Sequence, residues 1–331
     1  MGKLDRIDEM LLYELAINAR VPLNAIAKKY SVSKDTLANH LKKLEKEGVI
    51  RGYITRLNMT ALGYTFFSFF AKSNGLNPKL NDLVAESLGS IKGNGWIGML
   101  SGSWDIYGGF WIKDFSDSWN VKEKILEKVG EHLLETEYCI SIRKTYYNNM
   151  GFVRNPEKWA KTKTISQYPK DEIPVKLDKD DIAILQVLES NARASYVEIG
   201  ERTGIHPSKV QFRMKQMMKK NIILNFRTIF DDKKLGITFS AVTLSFKNYN
   251  PGIMKKLEEI CDNDPYIGYL GRIVGPFDAW VEFHIPEEKT FSIAERIKTH
   301  LADDLRAIEH IDYLEVRKVR YYPDYIAPLK S

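Results

Sequence analysis

Cysteine is scarce in this chain. Its 331 residues include two, Cys139 and Cys261, which lie far apart in apolar stretches and form no CxxC pair. Such usage suits a reducing compartment and offers neither a disulfide framework nor a structural zinc site. Histidine is almost as sparse: His40, His132, His206, His284, His300 and His310 show no HExxH or similar ligand spacing, and no glycine-rich loop of the phosphate-cradling kind occurs. Metals, cofactors and catalytic residues are therefore not expected, nor is enzyme activity. Long apolar runs are missing too, since Phe66 to Ala71 falls well short of a membrane span. The first residues carry Lys3, Asp5, Arg6, Asp8 and Glu9 where a secretion signal has an apolar core. The expectation is a cytoplasmic protein with no membrane partner.

The chain is longer than one hydrophobic core usually serves, and its 44% hydrophobic and 28% charged residues fit compact domains rather than disorder. A net charge of +6 attracts phosphate groups, but spread over this length it decides nothing alone. More telling is an internal correspondence at 173 residues, the offset from Lys3 to Lys176. Lys3-Leu4-Asp5 recurs as Lys176-Leu177-Asp178, Asn18-Ala19-Arg20 as Asn191-Ala192-Arg193, and Leu62-Gly63 as Leu235-Gly236. Gly98, Gly102 and Asp105 map onto Gly271, Gly275 and Asp278, while Arg143-Lys144 maps onto Arg317-Lys318 after a shift of one. Two copies of a unit of roughly 145 residues follow.

Each unit opens with three short helices, expected over Arg6–Asn18, Leu23–Tyr30 and Lys34–Glu47, then Asp180–Ser190, Val197–Thr203 and Pro207–Lys220. Leu11, Leu12, Leu15, Ile26, Leu37, Leu41 and Leu44 give the first set its apolar stripes. The tight Ser31-Val32-Ser33 connection, with Ser33 as an N-cap, suggests helix-turn-helix. Gly48 and Asn221 suit left-handed helix terminators, and Val49–Leu57 alternates like the strand of a wing.

The rest of unit one reads strand, helix, strand, strand, helix, strand over Thr65–Ala71, Pro78–Leu88, Trp96–Ser101, Trp104–Ile112, Ser116–Leu134 and Glu137–Tyr146. Unit two matches with Thr238–Phe246, Pro251–Cys261, Tyr266–Ile273, Phe277–Ile285, Glu288–Leu305 and His310–Arg320. The fold class is thus α+β, two copies of a winged helix-turn-helix followed by a ferredoxin-like βαββαβ domain. The domains divide at 1–60, 61–150, 176–232 and 233–331. Between the units, 151–175 carries Arg154, Lys158, Lys161, Lys163 and Lys170 with few aliphatics, the composition of an extended tether.

The order of these motifs resembles the Lrp/AsnC (feast/famine) family, whose members join a winged helix-turn-helix to a ligand-sensing ferredoxin-like domain. The resemblance rests on Leu4-Asp5-x-x-Asp8 and Leu177-Asp178-x-x-Asp181, the two Asn-Ala-Arg motifs, Gly48-Val49-Ile50, and both Leu-Gly pairs. Gly102-Ser103-Trp104-Asp105 and Gly275-Pro276-Phe277-Asp278 are similar to the family's glycine-x-aromatic-aspartate turn. Family members usually carry one unit and dimerise, whereas here both units share a chain. His40 also stands where the family has an arginine that Arg213 retains.

The resemblance implies a transcriptional regulator binding duplex DNA. The candidate contacts are Ser33, Lys34, Asp35, Asn39, His40, Lys42 and Lys43 in unit one, and Ser208, Lys209, Gln211, Phe212, Arg213 and Lys215 in unit two. Asn39 suits an adenine edge and the lysines suit phosphates, while Phe212 suits a thymine methyl or a neighbouring domain. An ordinary solvated helix face is the plain alternative. The resemblance also implies a small effector such as an amino acid, held by Gly98, Met99, Gly102 and Asp105, and by Gly271, Arg272, Gly275 and Asp278. These residues serve equally well as turn formers. Oligomers joined through the sensor sheets are expected, and the sequence leaves open whether sensors pair within or between chains. Two alternatives stand beside the regulator: a fused siroheme decarboxylase-like enzyme, since such enzymes share this architecture as paired subunits, and a metabolite-sensing scaffold that does not bind DNA.

Overall fold

The computed structural model describes residues 4–75, 77–148, 150–153, 155–167, 174–286 and 289–319. Lys3, Arg154, Lys170, Glu288 and Arg320, which entered the sequence reading, lie outside these residues, as does the side chain of Lys318.

The first unit begins with α1 (Arg6–Ile17), α2 (Leu23–Tyr30), α3 (Lys34–Lys46) and β1 (Ile50–Leu57). Asp5 caps α1 by accepting the backbone N–H groups of Ile7 and Asp8, and Ser33 caps α3 by accepting that of Thr36. β2 (Thr65–Ser73), α4 (Pro78–Gly89), β3 (Asn94–Gly102), β4 (Ile106–Ile112), α5 (Phe115–Val129) and β5 (Leu133–Tyr147) complete it, and β6 (Lys163–Gln167) follows. The same order then recurs as α6 (Lys179–Ser190), α7 (Tyr196–Thr203), α8 (Pro207–Lys219) and β7 (Ile223–Phe230), followed by one-turn α9 (Asp232–Leu235). β8 (Ile237–Phe246), α10 (Pro251–Asn263), β9 (Ile267–Val274), β10 (Ala279–Pro286), α11 (Thr290–Leu301) and β11 (Leu305–Val319) complete the described elements. Gly48 and Asn221 both adopt positive φ, at 69° and 53°, and so end α3 and α8 alike.

Strand pairing answers the question the sequence left open, because the two ferredoxin-like sheets join within the chain. Hydrogen bonds run β2-β4-β3-β11-β8-β10-β9-β5, and β5 pairs again with β2, closing a ring of eight antiparallel strands with β6 attached outside. β5 and β11 make this possible by being twice as long as their unit requires. The start of β11 pairs with β8 of its own unit and its end with β3 of the other. The start of β5 likewise pairs with β2, and its end with β9. This dual pairing explains why both strands begin earlier than expected, at Leu133 rather than Glu137 and at Leu305 rather than His310. The helix expected to reach Leu134 instead stops at Val129, where Gly130 starts a 3-10 turn.

Alternation along β2 divides two cores. Phe67, Phe69 and Ala71 face α4 and α5, packed with Val84, Leu88, Val121 and Ile125. Phe66 and Phe70 face the inside of the ring with Tyr107, Trp280 and Tyr313. The helix-turn-helix cores are shared between the units as well. Leu57, Met59, Leu62 and Tyr64 from the first half complete the core of the second module, while Ile237, with Phe230 and Leu235 packed beside it, completes that of the first. β1 and β7 cross between the modules as an antiparallel ribbon. The Asn-Ala-Arg motifs lock this crossing reciprocally: Arg20 donates to the carbonyls of Ala192 and Ala194 at 2.6 and 2.7 Å, and Arg193 donates to that of Ala19.

The segment read as a bare tether is built into the body of the protein. Phe152 and Val153 are buried in the first module's core, beside Met150 just before the segment. Trp159 packs 4.2 Å from Tyr13, and β6 pairs with β5. The few aromatics of this segment override its polar composition, because each can bury a large apolar area while the polar side chains stay solvated. Lys161 donates to the Cys261 carbonyl at 2.6 Å and to that of Asp264, and burial pushes its ammonium down to about 8. A lysine held below its unfolded value binds fewer protons when folded, so stability rises as pH climbs from about 8 toward the unfolded value. Urea melts of the wild type are expected to gain about 1–2 kcal/mol relative to Lys161→Met between pH ~7.5 and ~9.5. Parallel pH profiles for the two proteins would contradict this assignment.

Candidate nucleic-acid interface and enclosed cavity

α3 and α8 each bury one stripe, Leu37, Leu41 and Leu44 in the first and Val210, Met214 and Met217 in the second. The opposite faces are open. Lys34, Asp35, Asn39, Lys42 and Lys46 are exposed on α3, and Ser208, Lys209, Phe212, Lys215 and Lys219 on α8. Phe212 is 60% exposed, so it does not pack on a neighbouring domain of this chain.

Several candidate DNA contacts turn inward instead. His40 Nδ1 lies 2.8 Å from Asp8, a fully buried carboxylate that Lys43 also approaches at 3.4 Å. Arg213, at the matching position, is held by Asp178 at 2.6 Å, Asp181 at 3.0 Å and Asp180 at 3.2 Å. The Asp178 side chain keeps the guanidinium above the usual arginine range, and the carboxylate is itself lowered by the backbone N–H groups of Asp181 and Asp180 and by Arg213. Lys209 pairs with Asp180 at 2.8 Å. Both positions therefore pin the recognition helix to the start of the first helix. Gln211 is half-buried, while Ser33 spends its hydroxyl on the cap. The Leu-Asp-x-x-Asp motif was the signal for this pairing, since it supplies the acids that a basic residue on the third helix can reach.

The eight effector candidates divide between two seams. The Gly102 turn meets β11, where a Cβ on Gly102 would fall 2.4 Å from the His310 carbonyl oxygen. At the opposite seam, a Cβ on Gly275 would lie 2.4 Å from that of Cys139. Gly98 and Gly271 make room for the rings of Tyr313 and Tyr269. Asp105 accepts from the Ser73 backbone at 2.8 Å and Asp278 from that of Phe246 at 2.7 Å, so each carboxylate ties its turn to the end of a neighbouring strand, β2 or β8. Met99 is fully buried on the helix side, and Arg272 is paired with Glu258 at 2.9 Å.

None of the eight is among the residues lining a large cavity elsewhere in the ring. That cavity, of about 1280 Å³, lies between the inner face of the ring and the β1–β7 ribbon. Trp96, Tyr107, Trp111, Phe239, Trp280 and Tyr313 give it aromatic walls, Arg56, Lys144 and Glu282 bring ionisable groups, and His284 adds an imidazole. Lys144 is 4% exposed, its ammonium 3.3 Å from the centre of the Phe66 ring and 4.7 Å from that of Trp111, and burial holds it well below the usual lysine range. Glu282 accepts from Trp280 Nε1 at 2.8 Å and the Tyr313 hydroxyl at 3.1 Å, and enclosure raises its proton affinity. Burial also pushes the Cys139 thiol up to about 12, which leaves it protonated at neutral pH. The sequence marked this site only faintly, by charges at alternating positions inside otherwise apolar strands.

Fold and site together define a protein with two winged helix-turn-helix modules standing on one closed α+β ring. The family profiles agree. A winged helix-turn-helix DNA-binding domain matches residues 4–51 and an AsnC-type helix-turn-helix domain matches 177–218. The chain is 30% identical over 141 residues to the HTH-type transcriptional regulator LrpA of Pyrococcus horikoshii, an alignment covering 42% of this chain and 95% of LrpA. It is 36% identical over 107 residues to an uncharacterized HTH-type transcriptional regulator of Pyrococcus furiosus, covering 31% of this chain and 69% of that one. The chain belongs to the Lrp/AsnC family. Its whole fold is also similar to that of the siroheme decarboxylase NirDL, with a TM-score of 0.61 at 10% identity over 97% of this chain and 96% of that one.

Arg213→Ala leaves three carboxylates facing one another and is expected to cost about 1–2 kcal/mol in a urea melt. Lys215→Ala, on the open face, should stay within about 0.5 kcal/mol of wild type. Equal melts for all three proteins would return Arg213 to the outer face.

Proposed function

We propose that the chain is a sequence-specific, DNA-binding transcriptional regulator formed by tandem duplication of one family unit, its two modules acting as a built-in pair. The observation that carries this reading is the pair of open, polar recognition-helix faces joined through the β1–β7 ribbon. It is supported by the helix-turn-helix profiles in both halves. The contacts assigned to DNA are Asn39, Lys42 and Lys34 on α3, and Phe212, Lys215 and Ser208 on α8. His40, Lys43, Lys209 and Arg213 hold the modules together instead. Because the two outer faces differ, one chain reads two unlike half-sites about one helical turn apart, or a multiple of it. A small effector tunes binding without any chemical reaction. Assemblies of several chains use surfaces outside the ring, since each sensor sheet already pairs with the other.

Duplex affinity is expected to fall steeply between about 50 and about 200 mM salt through counterion release. Lys215→Ala should weaken binding at all sites and reduce the salt slope by about one. In footprints, Asn39→Ala and Phe212→Ala should each lose protection over a different half of the site. A palindromic site with equal losses would contradict the built-in pair, and no retention of duplex at low salt would favour the scaffold reading.

The cavity and the whole-chain likeness to NirDL favour one other reading, a siroheme decarboxylase-like enzyme. Incubating the full chain with siroheme and following its carboxylates by mass spectrometry separates the two. The regulator reading expects siroheme to be recovered intact, and its conversion to a decarboxylated product would favour the enzyme.

A further inference from the structure

The cavity between ring and ribbon differs in kind from the glycine-aspartate turns, whose carboxylates are occupied by the backbone N–H groups of Ser73 and Phe246. At about 1280 Å³ it exceeds the ~300–1,000 Å³ of ordinary small-molecule pockets and is far larger than a free amino acid requires. Its walls are mainly aromatic faces, which suit a flat ring system. The indole Nε1 groups of Trp96 and Trp111, both on the lining, are buried without an acceptor among the described residues, so two donors are available to ligand oxygens. Charge sorts the ligand further. Arg56 and Lys144 bring positive charge to the lining, and Glu282, which accepts from Trp280 and Tyr313, lies within electrostatic reach of Lys144. Keeping a buried ammonium charged is costly, and a ligand carboxylate beside it lowers that cost further.

We propose that this cavity is the effector site and takes an aromatic carboxylate larger than an amino acid, its anionic head on Lys144 and its ring body between Trp96, Trp111 and Tyr107. Binding itself does not depend on the regulator reading; the consequence for DNA does. Gly52, Ile54, Arg227 and Ile229 of the ribbon also line the cavity. A ligand there bears directly on the ribbon that joins the two modules, and so alters how their recognition helices stand relative to each other.

The test is a fluorescence titration of the full chain with 1-pyrenebutyrate and with its neutral analogue 1-pyrenebutanol. The acid is expected to saturate at one per chain, to quench tryptophan emission by energy transfer to pyrene, and to bind at least about tenfold more tightly than the alcohol, about 1.4 kcal/mol. Lys144→Met should remove that preference and Lys144→Arg should keep it, with near-ultraviolet circular dichroism confirming that each variant folds. Equal affinity of the wild type for both probes overturns the anionic class, and saturation without tryptophan quenching overturns the location. These two readouts need no variant. Duplex retention at low salt is measured on the same preparation. A chain that retains duplex but no probe overturns this inference alone, and one that binds probe but no duplex overturns the regulator reading alone. Duplex affinity unchanged at saturating acid overturns the coupling to the ribbon.

Discussion

A four-stranded sheet ends in two rows of unpaired backbone N–H and C=O groups, and leaving them open invites pairing with any passing strand. Here each sensor sheet supplies the edges that the other needs, β3 meeting β11 and β5 meeting β9. Once that ring closes, much else follows from it. The long strands β5 and β11 exist to serve it, the small residues at Gly102 and Gly275 are required where it is tightest, and its inner face encloses the aromatic cavity. The ribbon and the exchanged arginines repeat the same solution one layer up, each module completing the other.

Local patterns were legible in the sequence because their causes are local. Apolar spacing found the helices of both modules to within a residue or two at each end, and Gly48 and Asn221 end their helices as their side chains suggest. Strand lengths were not legible. Nothing near Leu133 or Leu305 says that a strand will serve two units, because the partner lies far along the chain. The joint between units misled for a related reason: its composition is polar on average, yet Phe152 and Trp159 find partners in the first module.

The candidate sites were read with uneven success. Facing direction on the recognition helices followed from period alone, so the open positions are those expected. Position in a motif did not reveal the partners of His40 and Arg213, because their role depends on acids more than thirty residues earlier. The cavity was invisible as a unit, since it is made of single residues at alternate positions on strands from both halves and of a ribbon that crosses above them.

Joining both halves in one chain also releases the interior from symmetry. In a pair of identical subunits every inward side chain appears twice, so one carboxylate facing the centre brings a second. Here the offset of Lys3 to Lys176 places Glu282 opposite Gly109 and His284 opposite Trp111. Gly109 is no placeholder: the Phe66 ring occupies the space a side chain would need, with its Cζ 2.2 Å from where a Cβ would sit. Glu282 and His284 line the cavity without a matching pair from the first half, so the two half-turn-related orientations of a molecule inside it are no longer equivalent. A molecule held there would bear unequally on the two helix-turn-helix modules, a bias that a two-fold symmetric pair of identical subunits does not build in.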